Sequence, residues 1–134
     1  MTVGLLLITH HRIGAELLRS AMVTFGGCPM EVRTIEVSAD TDPDQLLDQA
    51  RHFVLELDRG VGVLVLTDCF GSTPSNIANR LLENHTIRIV SGVSLPMLIR
   101  VMNYARLSLN ELTNKAVSGG IEGIVVSPPR TGGV

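Results

Sequence analysis

The chain has 134 residues, of which 45% are hydrophobic and 18% charged, and its formal net charge is −2. A chain of this size and composition can bury a core and suits a single domain. The small net charge without a basic cluster argues against a nucleic-acid partner held by phosphate neutralisation, and no apolar stretch approaches the roughly 20 residues that span a bilayer.

Five apolar segments have the length and composition of β-strands. Three of them, residues 3–8, 62–67 and 87–90, are continuously apolar, as expected of a parallel sheet covered by helices on both faces. Residues 32–37 alternate between apolar and polar side chains, which places them towards an edge. Residues 124–126 are a short, late candidate for a further strand.

Helices are predicted between these strands, because apolar residues recur there at helical spacing. One apolar stripe comprises Ile13, Leu17, Leu18, Ala21, Met22 and Phe25. A second comprises Leu46, Leu47, Ala50, Phe53, Val54 and Leu57. Asp42 and Thr73, each followed by proline, predict helix starts, and Ser108 begins a capping box with Glu111. A further helix is expected to begin near Ser94.

The alternation of strands and helices predicts an α/β fold. We expect a flavodoxin-like three-layer sandwich whose mostly parallel sheet has the order 2-1-3-4, with a short C-terminal strand at the edge or exchanged in a dimer. Residues 1–126 form the predicted domain. Residues 127–134, rich in proline and glycine, are predicted to be a flexible tail.

Two residues that can perform chemistry follow predicted strands. His10 comes just after the first strand and Asp68 just after the third, and ligands of such sheets bind beyond the carboxyl ends of the strands. A carboxylate that accepts one ring N–H of a histidine leaves the other nitrogen free as a nucleophile, which predicts a phosphoryl acceptor. Gly71, Ser72 and Thr73, with the first helix start, are candidates to hold the phosphoryl oxygens.

These residues also have ordinary structural interpretations. A histidine at a strand end more often makes a structural hydrogen bond, Asp68 can organise its own loop, and Thr73 can cap a helix. Cys69 is expected to be buried and unreactive, because no neighbouring base or cation would activate its thiol. His52 and His85 are expected on the surface.

Three motifs in chain order carry a resemblance to a known family. Thr9-His10 after the first strand, LTDCFGSTPSN at 66–76 and VSGVSLPML at 90–98 are similar to the mannose-type enzyme IIA domain of the phosphoenolpyruvate:sugar phosphotransferase system. The similarity extends to about residue 126. It implies a phosphotransferase component in which His10 accepts a phosphoryl group from the carrier HPr and passes it to a IIB partner. It further implies that Asp68 orients the His10 ring and that Thr73 lies near the phosphoryl group.

The resemblance also implies a homodimer, in which a C-terminal strand, here residues 124–126, is exchanged or packed across subunits. Two positions depart from the family pattern: His11 stands where a small residue is common, and Ser72 replaces one glycine. Chain alternation points His11 away from His10. We therefore expect His11 and Arg12 at the rim of the site, where they could help a partner to dock.

Three roles for such a carrier remain open. The first is a subunit of a mannose- or fructose-type sugar permease, the second a stand-alone regulatory IIA protein, and the third a phosphodonor for a dihydroxyacetone kinase. A non-catalytic flavodoxin-like binding module is a fourth class, which the low aromatic content of 3% disfavours. No cofactor is expected, since the donor is a protein.

The remaining expectations concern metals and location. The two cysteines, Cys28 and Cys69, lack metal-ligand spacing, so no metal site is expected. The apolar start has no positive leader or small-residue cleavage site. We therefore expect a cytoplasmic protein with reduced thiols, no direct membrane insertion and no nucleic-acid partner.

Overall fold

The computed structural model describes residues 1–128 of the chain. The strands are β1 (Gly4–His10), β2 (Val32–Val37), β3 (Val63–Thr67) and β4 (Ile87–Ser91). The helices are α1 (Ile13–Phe25), α2 (Pro43–Leu57), α3 (Thr73–Asn79), α4 (Leu95–Asn103) and α5 (Leu109–Glu122), and a short 3₁₀ turn (Arg80–Glu83) follows α3. The four main predicted strands are therefore confirmed, with ends that move by two residues at most.

The four strands form one parallel sheet in the order β2-β1-β3-β4, which confirms the predicted order and α/β class. The register pairs His10 with Val37 and Ile8 with Thr67. Because all strands run the same way, their carboxyl ends meet at one edge of the sheet. That edge carries the loops that lead into α1, α2, α3 and α4.

Helices cover both faces of the sheet, which gives the predicted three layers. Successive residues of β1 point to opposite faces, so Leu5 and Leu7 pack in one core while Leu6 and Ile8 pack in the other. The first core is closed by α1, α4 and α5 and the second by α2 and α3. This double burial explains why β1 and β3 are continuously apolar.

Three predicted helix starts are confirmed by their caps. Asp42 accepts a hydrogen bond from the main chain of α2 at 3.0 Å, and Ser94 and Ser108 each accept one at 3.3 Å in α4 and α5. The start of α3 is different, because Thr73 is already the first helical residue and Ser72 precedes it as the cap residue. The Ser72 hydroxyl does not cap the helix but donates to the carbonyl of Cys69.

Residues 124–126 form no strand within the described chain, so the predicted strand is not found at the edge of the sheet, and its exchange in a dimer stays a prediction. Ile124 continues out of α5 through a turn, its N–H donating to the carbonyl of Ile121, and residues 124–126 pair with no strand of the described chain. Their side chains are exposed. Of the predicted tail, residues 129–134 lie outside the described residues. Within residues 1–128, no helix is both long enough and apolar enough to cross a membrane.

Candidate functional site

The candidate site lies where β1 and β3 end side by side. From β1 the chain crosses to β2 on one side, and from β3 it crosses to β4 on the other, so a crevice opens between the two strand ends. His10 is the last residue of β1, and Asp68 directly follows β3. The fold therefore brings together the two residues that the sequence placed at these ends.

His10 and Asp68 are in direct contact. The ring Nδ1 of His10 lies 2.8 Å from Oδ2 of Asp68, and the main-chain N–H of His10 donates to the same oxygen at 3.0 Å. The other carboxylate oxygen, Oδ1, accepts the N–H of Cys69 at 3.0 Å. The side chain of Asp68 is only 12% exposed, whereas that of His10 is 39% exposed. The acid is thus fixed in the protein, and the ring it holds remains accessible.

These contacts set the protonation of the pair. Burial raises the pKa of Asp68, but hydrogen bonds from the ring and main chain of His10, together with the charge of that ring when it is protonated, lower the pKa by a larger amount, so it lies below its ordinary value. An ionised carboxylate only accepts hydrogen bonds, so the proton between the two side chains belongs to Nδ1. Nε2 of His10 then keeps a free lone pair, which is the requirement for a nucleophile.

Thr9 anchors the start of α1, a role that the Thr9-His10 motif did not predict. Its side chain is buried, and its Oγ1 accepts the N–H of Gly14 at 2.7 Å. Arg12, at the cap position of α1, makes no side-chain cap. A Cβ on Gly14 would lie 2.9 Å from the Thr9 oxygen, so only glycine fits there without displacement. The sequence did carry a signal for this role: Thr9 is a polar residue at the end of an apolar strand, and it precedes a helix whose cap position holds Arg12, which does not cap it.

His11 and Arg12 form the turn between β1 and α1. His11 is exposed, has a φ of +46°, and donates its N–H to the carbonyl of Val37 at 2.9 Å. Arg12 is exposed and pairs with Glu36 at 3.1 Å and with Glu16 at 3.3 Å. The guanidinium of Arg12 is therefore already compensated by two carboxylates.

The loop from β3 to α3 carries the other predicted site residues. Gly71 has a φ of +84°, which explains the need for glycine in this turn. Ser72 uses its hydroxyl within the loop, while Thr73 is exposed and its hydroxyl has no hydrogen bond to residues 1–128. Cys69 was expected to be buried, but it is exposed in the loop that follows β3.

The remaining histidines lie on the surface, as predicted. His52 is exposed on α2 and its Nε2 lies 2.9 Å from Glu56, and His85 is exposed after the 3₁₀ turn. Within the described residues, no group of three His, Cys, Asp or Glu side chains is arranged to hold a metal ion.

Comparison with known proteins gives a consistent set of relatives. The family model described as "PTS system fructose IIA component" (EIIA-man) matches residues 4–117. The chain is 30% identical over 128 residues to the "PTS system mannose-specific EIIAB component" of Escherichia coli (strain K12), which covers 92% of this chain and 39% of that protein. The chain thus spans about two-fifths of that relative's length.

Solved structures agree on the fold. The mannose/sorbose specific IIA subunit from Enterococcus faecalis superposes with a TM-score of 0.85 at 23% identity, covering 98% of this chain and 99% of the other. The PTS IIA protein associated with the fucose utilization operon from Streptococcus pneumoniae gives a TM-score of 0.73 at 26% identity, covering 88% and 93%.

Proposed function

The chain belongs to the family of fructose- and mannose-type IIA components of the phosphotransferase system, and from that premise we propose that it is a phosphocarrier that accepts a phosphoryl group on His10. The observation that carries the proposal is the 2.8 Å contact between Nδ1 of His10 and Oδ2 of Asp68. That contact gives an exposed ring with one nitrogen occupied and the other free.

The proposed donor is phospho-HPr, whose phosphoryl group is carried on a histidine. The lone pair of Nε2 attacks the phosphorus, a new N–P bond forms, and the electron pair of the broken N–P bond returns to the donor nitrogen. Nδ1 keeps its proton throughout, because ionised Asp68 accepts the hydrogen bond that Nδ1 donates. Asp68 also stabilises the positive charge that the His10 ring gains when Nε2 is phosphorylated.

Donors to the phosphoryl oxygens are proposed in the loop of Gly71, Ser72 and Thr73. The unpartnered hydroxyl of Thr73 supports this assignment, since it needs no rearrangement to donate. Ser72 has first to release the carbonyl of Cys69. His11 and Arg12 follow His10 in the chain and are exposed, and we assign them to the surface on which a partner docks.

The proposed acceptor is a IIB protein of a mannose- or fructose-type permease. The chain covers only part of its EIIAB relative, so we take residues 1–126 as the carrier domain and place transfer to IIB between separate domains or chains. We place the carrier in the cytoplasm, where its partners are found.

We further propose that the protein acts as a homodimer through residues 124–126. β4 pairs only with β3 within the described chain, so its outer edge has free main-chain groups. Ile124, Val125 and Val126 are three consecutive apolar residues with about four-fifths of their surface exposed. An exposed strand edge and an exposed apolar segment are each unfavourable alone, and pairing them between two copies removes both.

Grooves beside β4 suit such a strand. One groove of about 420 Å³ is lined by Phe70, Asn79, Leu82, Arg88, Ile89 and Ser91. Another of about 230 Å³ is lined by Val90, Ser91, Gly92, Met97, Val117, Gly120, Ile121 and Ile124. Because side chains of a strand alternate between two faces, an added strand can place apolar groups in both grooves.

The phosphocarrier proposal is tested by incubating the protein with enzyme I, HPr and phosphoenolpyruvate. We expect an acid-labile phosphate on wild-type protein and on His11→Ala, and none on His10→Ala. Labelling of His10→Ala with loss in His11→Ala would overturn the assignment, and absence of label in all three would overturn the phosphocarrier function.

A further inference from the structure

The fold does not require the side chain of His11. Among residues 1–128, His11 is the one non-glycine residue with φ in the left-handed region, at +46°. Its backbone is held there by the hydrogen bond from its N–H to the carbonyl of Val37. Glycine adopts this conformation at lower cost than a residue with a Cβ. Folding alone would therefore favour glycine at this position.

Within residues 1–128, His11 is also the group at this end of the sheet that can carry a positive charge without a carboxylate partner. Asp68 is engaged by His10, and Arg12 is paired with Glu36 and Glu16. Within the described chain, no carboxylate lies within 4.0 Å of a His11 ring nitrogen.

Other charged groups on neighbouring elements do not change this balance. Arg19 of α1 pairs with Glu16 at 3.7 Å, and Asp40, in the loop after β2, is exposed and forms no ion pair with residues 1–128. Glu36 of β2 and Glu16 of α1 already form ion pairs with arginines. A phosphoryl group on His10 would thus meet one free imidazole in the adjacent residue.

We propose that His11, as an imidazolium, is an electrostatic positioning residue that stabilises the phosphoryl group on His10, so that the phosphorylation equilibrium follows the protonation of His11. This rests on the proposed phosphorylation of His10. Consecutive Cα atoms lie about 3.8 Å apart, so the two rings stay within range of a Coulomb interaction even when they point to opposite sides. At a separation of about 8 Å in a water-like dielectric, one positive charge favours a phosphoryl dianion by about fivefold in the equilibrium constant.

The sign of the pH dependence follows from linkage. Phosphorylation favours the protonated His11 ring, so the ring titrates at higher pH in the phosphorylated protein. The extra stability of the phosphorylated state is fully present below the titration midpoint of the unphosphorylated protein. It is lost as the pH rises through the midpoint of the phosphorylated protein.

The test measures the equilibrium between phospho-HPr and this protein from pH 5.5 to 8.5 at low salt. His11→Asn removes the charge with a residue that tolerates the left-handed region, and His11→Lys keeps a positive charge over the whole range. The ratio of each equilibrium constant to that of His11→Asn cancels the titration of HPr and of His10. Thermal unfolding of each variant checks that it is folded.

We expect wild type to exceed His11→Asn by about fivefold at pH 5.5 and to match it at pH 8.5, while His11→Lys keeps the excess at both ends. Proton NMR should place the His11 titration midpoint about 0.7 pH units higher in phosphorylated protein, since the two effects are reciprocal.

Two results overturn the inference while the phosphocarrier function stands: equal constants for wild type and His11→Asn at every pH, or a deficit in His11→Asn that does not vary with pH. A wild-type protein that takes no phosphate at His10 removes both proposals together.

Discussion

A single oxygen, Oδ2 of Asp68, accepts hydrogen bonds from both the ring Nδ1 and the main-chain N–H of His10. The same atom therefore selects the tautomer of the ring and fixes the backbone from which that ring projects. Since His10 ends β1 and Asp68 follows β3, the contact also ties two neighbouring strand ends together.

Replacement of Asp68 by asparagine should slow phosphoryl transfer by on the order of 10²-fold. An amide can donate to Nδ1 of His10, which would move the ring proton to Nε2 and remove the nucleophilic lone pair. The rate of His10 phosphorylation by phospho-HPr measures the effect. Asp58→Asn is the matched control, because Asp58 also accepts two main-chain N–H groups but lies before β3, at the opposite end of the sheet. Equal slowing in both variants would remove Asp68 from the site.

The free energy of unfolding should fall at acid pH, because Asp58 becomes protonated and its hydrogen bonds weaken. Burial raises the pKa of Asp58, but hydrogen bonds from Gly62, Gly60 and Thr86 lower it by a larger amount, so the pKa lies below its ordinary value. The stabilisation by the ionised Asp58 is therefore fully present above the unfolded-state pKa of about 3.9. It is lost as the pH falls through the lower pKa of Asp58 in the folded protein. Urea unfolding at pH 7 and pH 3 should show that Asp58→Asn differs from wild type at pH 7 and much less at pH 3. A difference that stays constant would contradict this origin.

Replacement of Thr9 by valine should lower the free energy of unfolding by about 1–3 kcal/mol, because the N–H of Gly14 would be left buried without an acceptor. Thr9→Ser is the control, since it keeps the hydroxyl oxygen. Urea denaturation of both variants measures the difference. Equal stability of the two would show that the bond between Thr9 and Gly14 contributes little.

Alanine at Gly119 or Gly123 should destabilise the protein by about 1–3 kcal/mol, because α5 packs too closely on α4 to admit a Cβ. At Gly119 the new Cβ would lie 2.6 Å from Cβ of Arg100, and at Gly123 it would lie 2.5 Å from Cβ of Pro96. Gly120 is the control, since its nearest obstacle is the flexible end of Met97 at 2.9 Å.

Alanine at Gly120 should be neutral or stabilise the helix by up to about 1 kcal/mol. Thermal unfolding of the three variants separates these outcomes. If alanine at Gly120 lowers the stability as much as alanine at Gly119, the end of Met97 cannot move aside and the prediction is wrong.

Replacement of Val125 by glutamate should convert the proposed dimer into a monomer, because a charge would enter an apolar contact beside β4. Leu55→Glu is the control, since Leu55 is an equally exposed apolar residue (77% against 78%) on α2. Sedimentation velocity should show dimers for wild type and Leu55→Glu and monomers for Val125→Glu. A wild type that sediments as a monomer at all concentrations would refute the dimer.

The elements and their order follow from the sequence because burial and periodicity are local properties. Continuous apolar runs in β1 and β3 require cover on both faces, and helical spacing between the runs supplies it. Parallel strands bring their carboxyl ends to one edge, so the residues that follow those strands had to meet there. His10 and Asp68 were therefore predictable as a pair.

Other features depend on contacts between residues distant in the chain, which no local pattern encodes. Asp68 binds the main chain as well as the ring of His10, and the hydrogen bond to Val37 holds His11 in a conformation that would suit glycine. Cys69 is exposed in the loop that follows β3. Residues 124–126 have the composition of a strand but pair with no strand within residues 1–128. The sequence by itself determined that His10 and Asp68 lie close together, because both lie at strand ends. The tertiary structure decided how they are held, because hydrogen bonds join whichever groups the packed elements bring together.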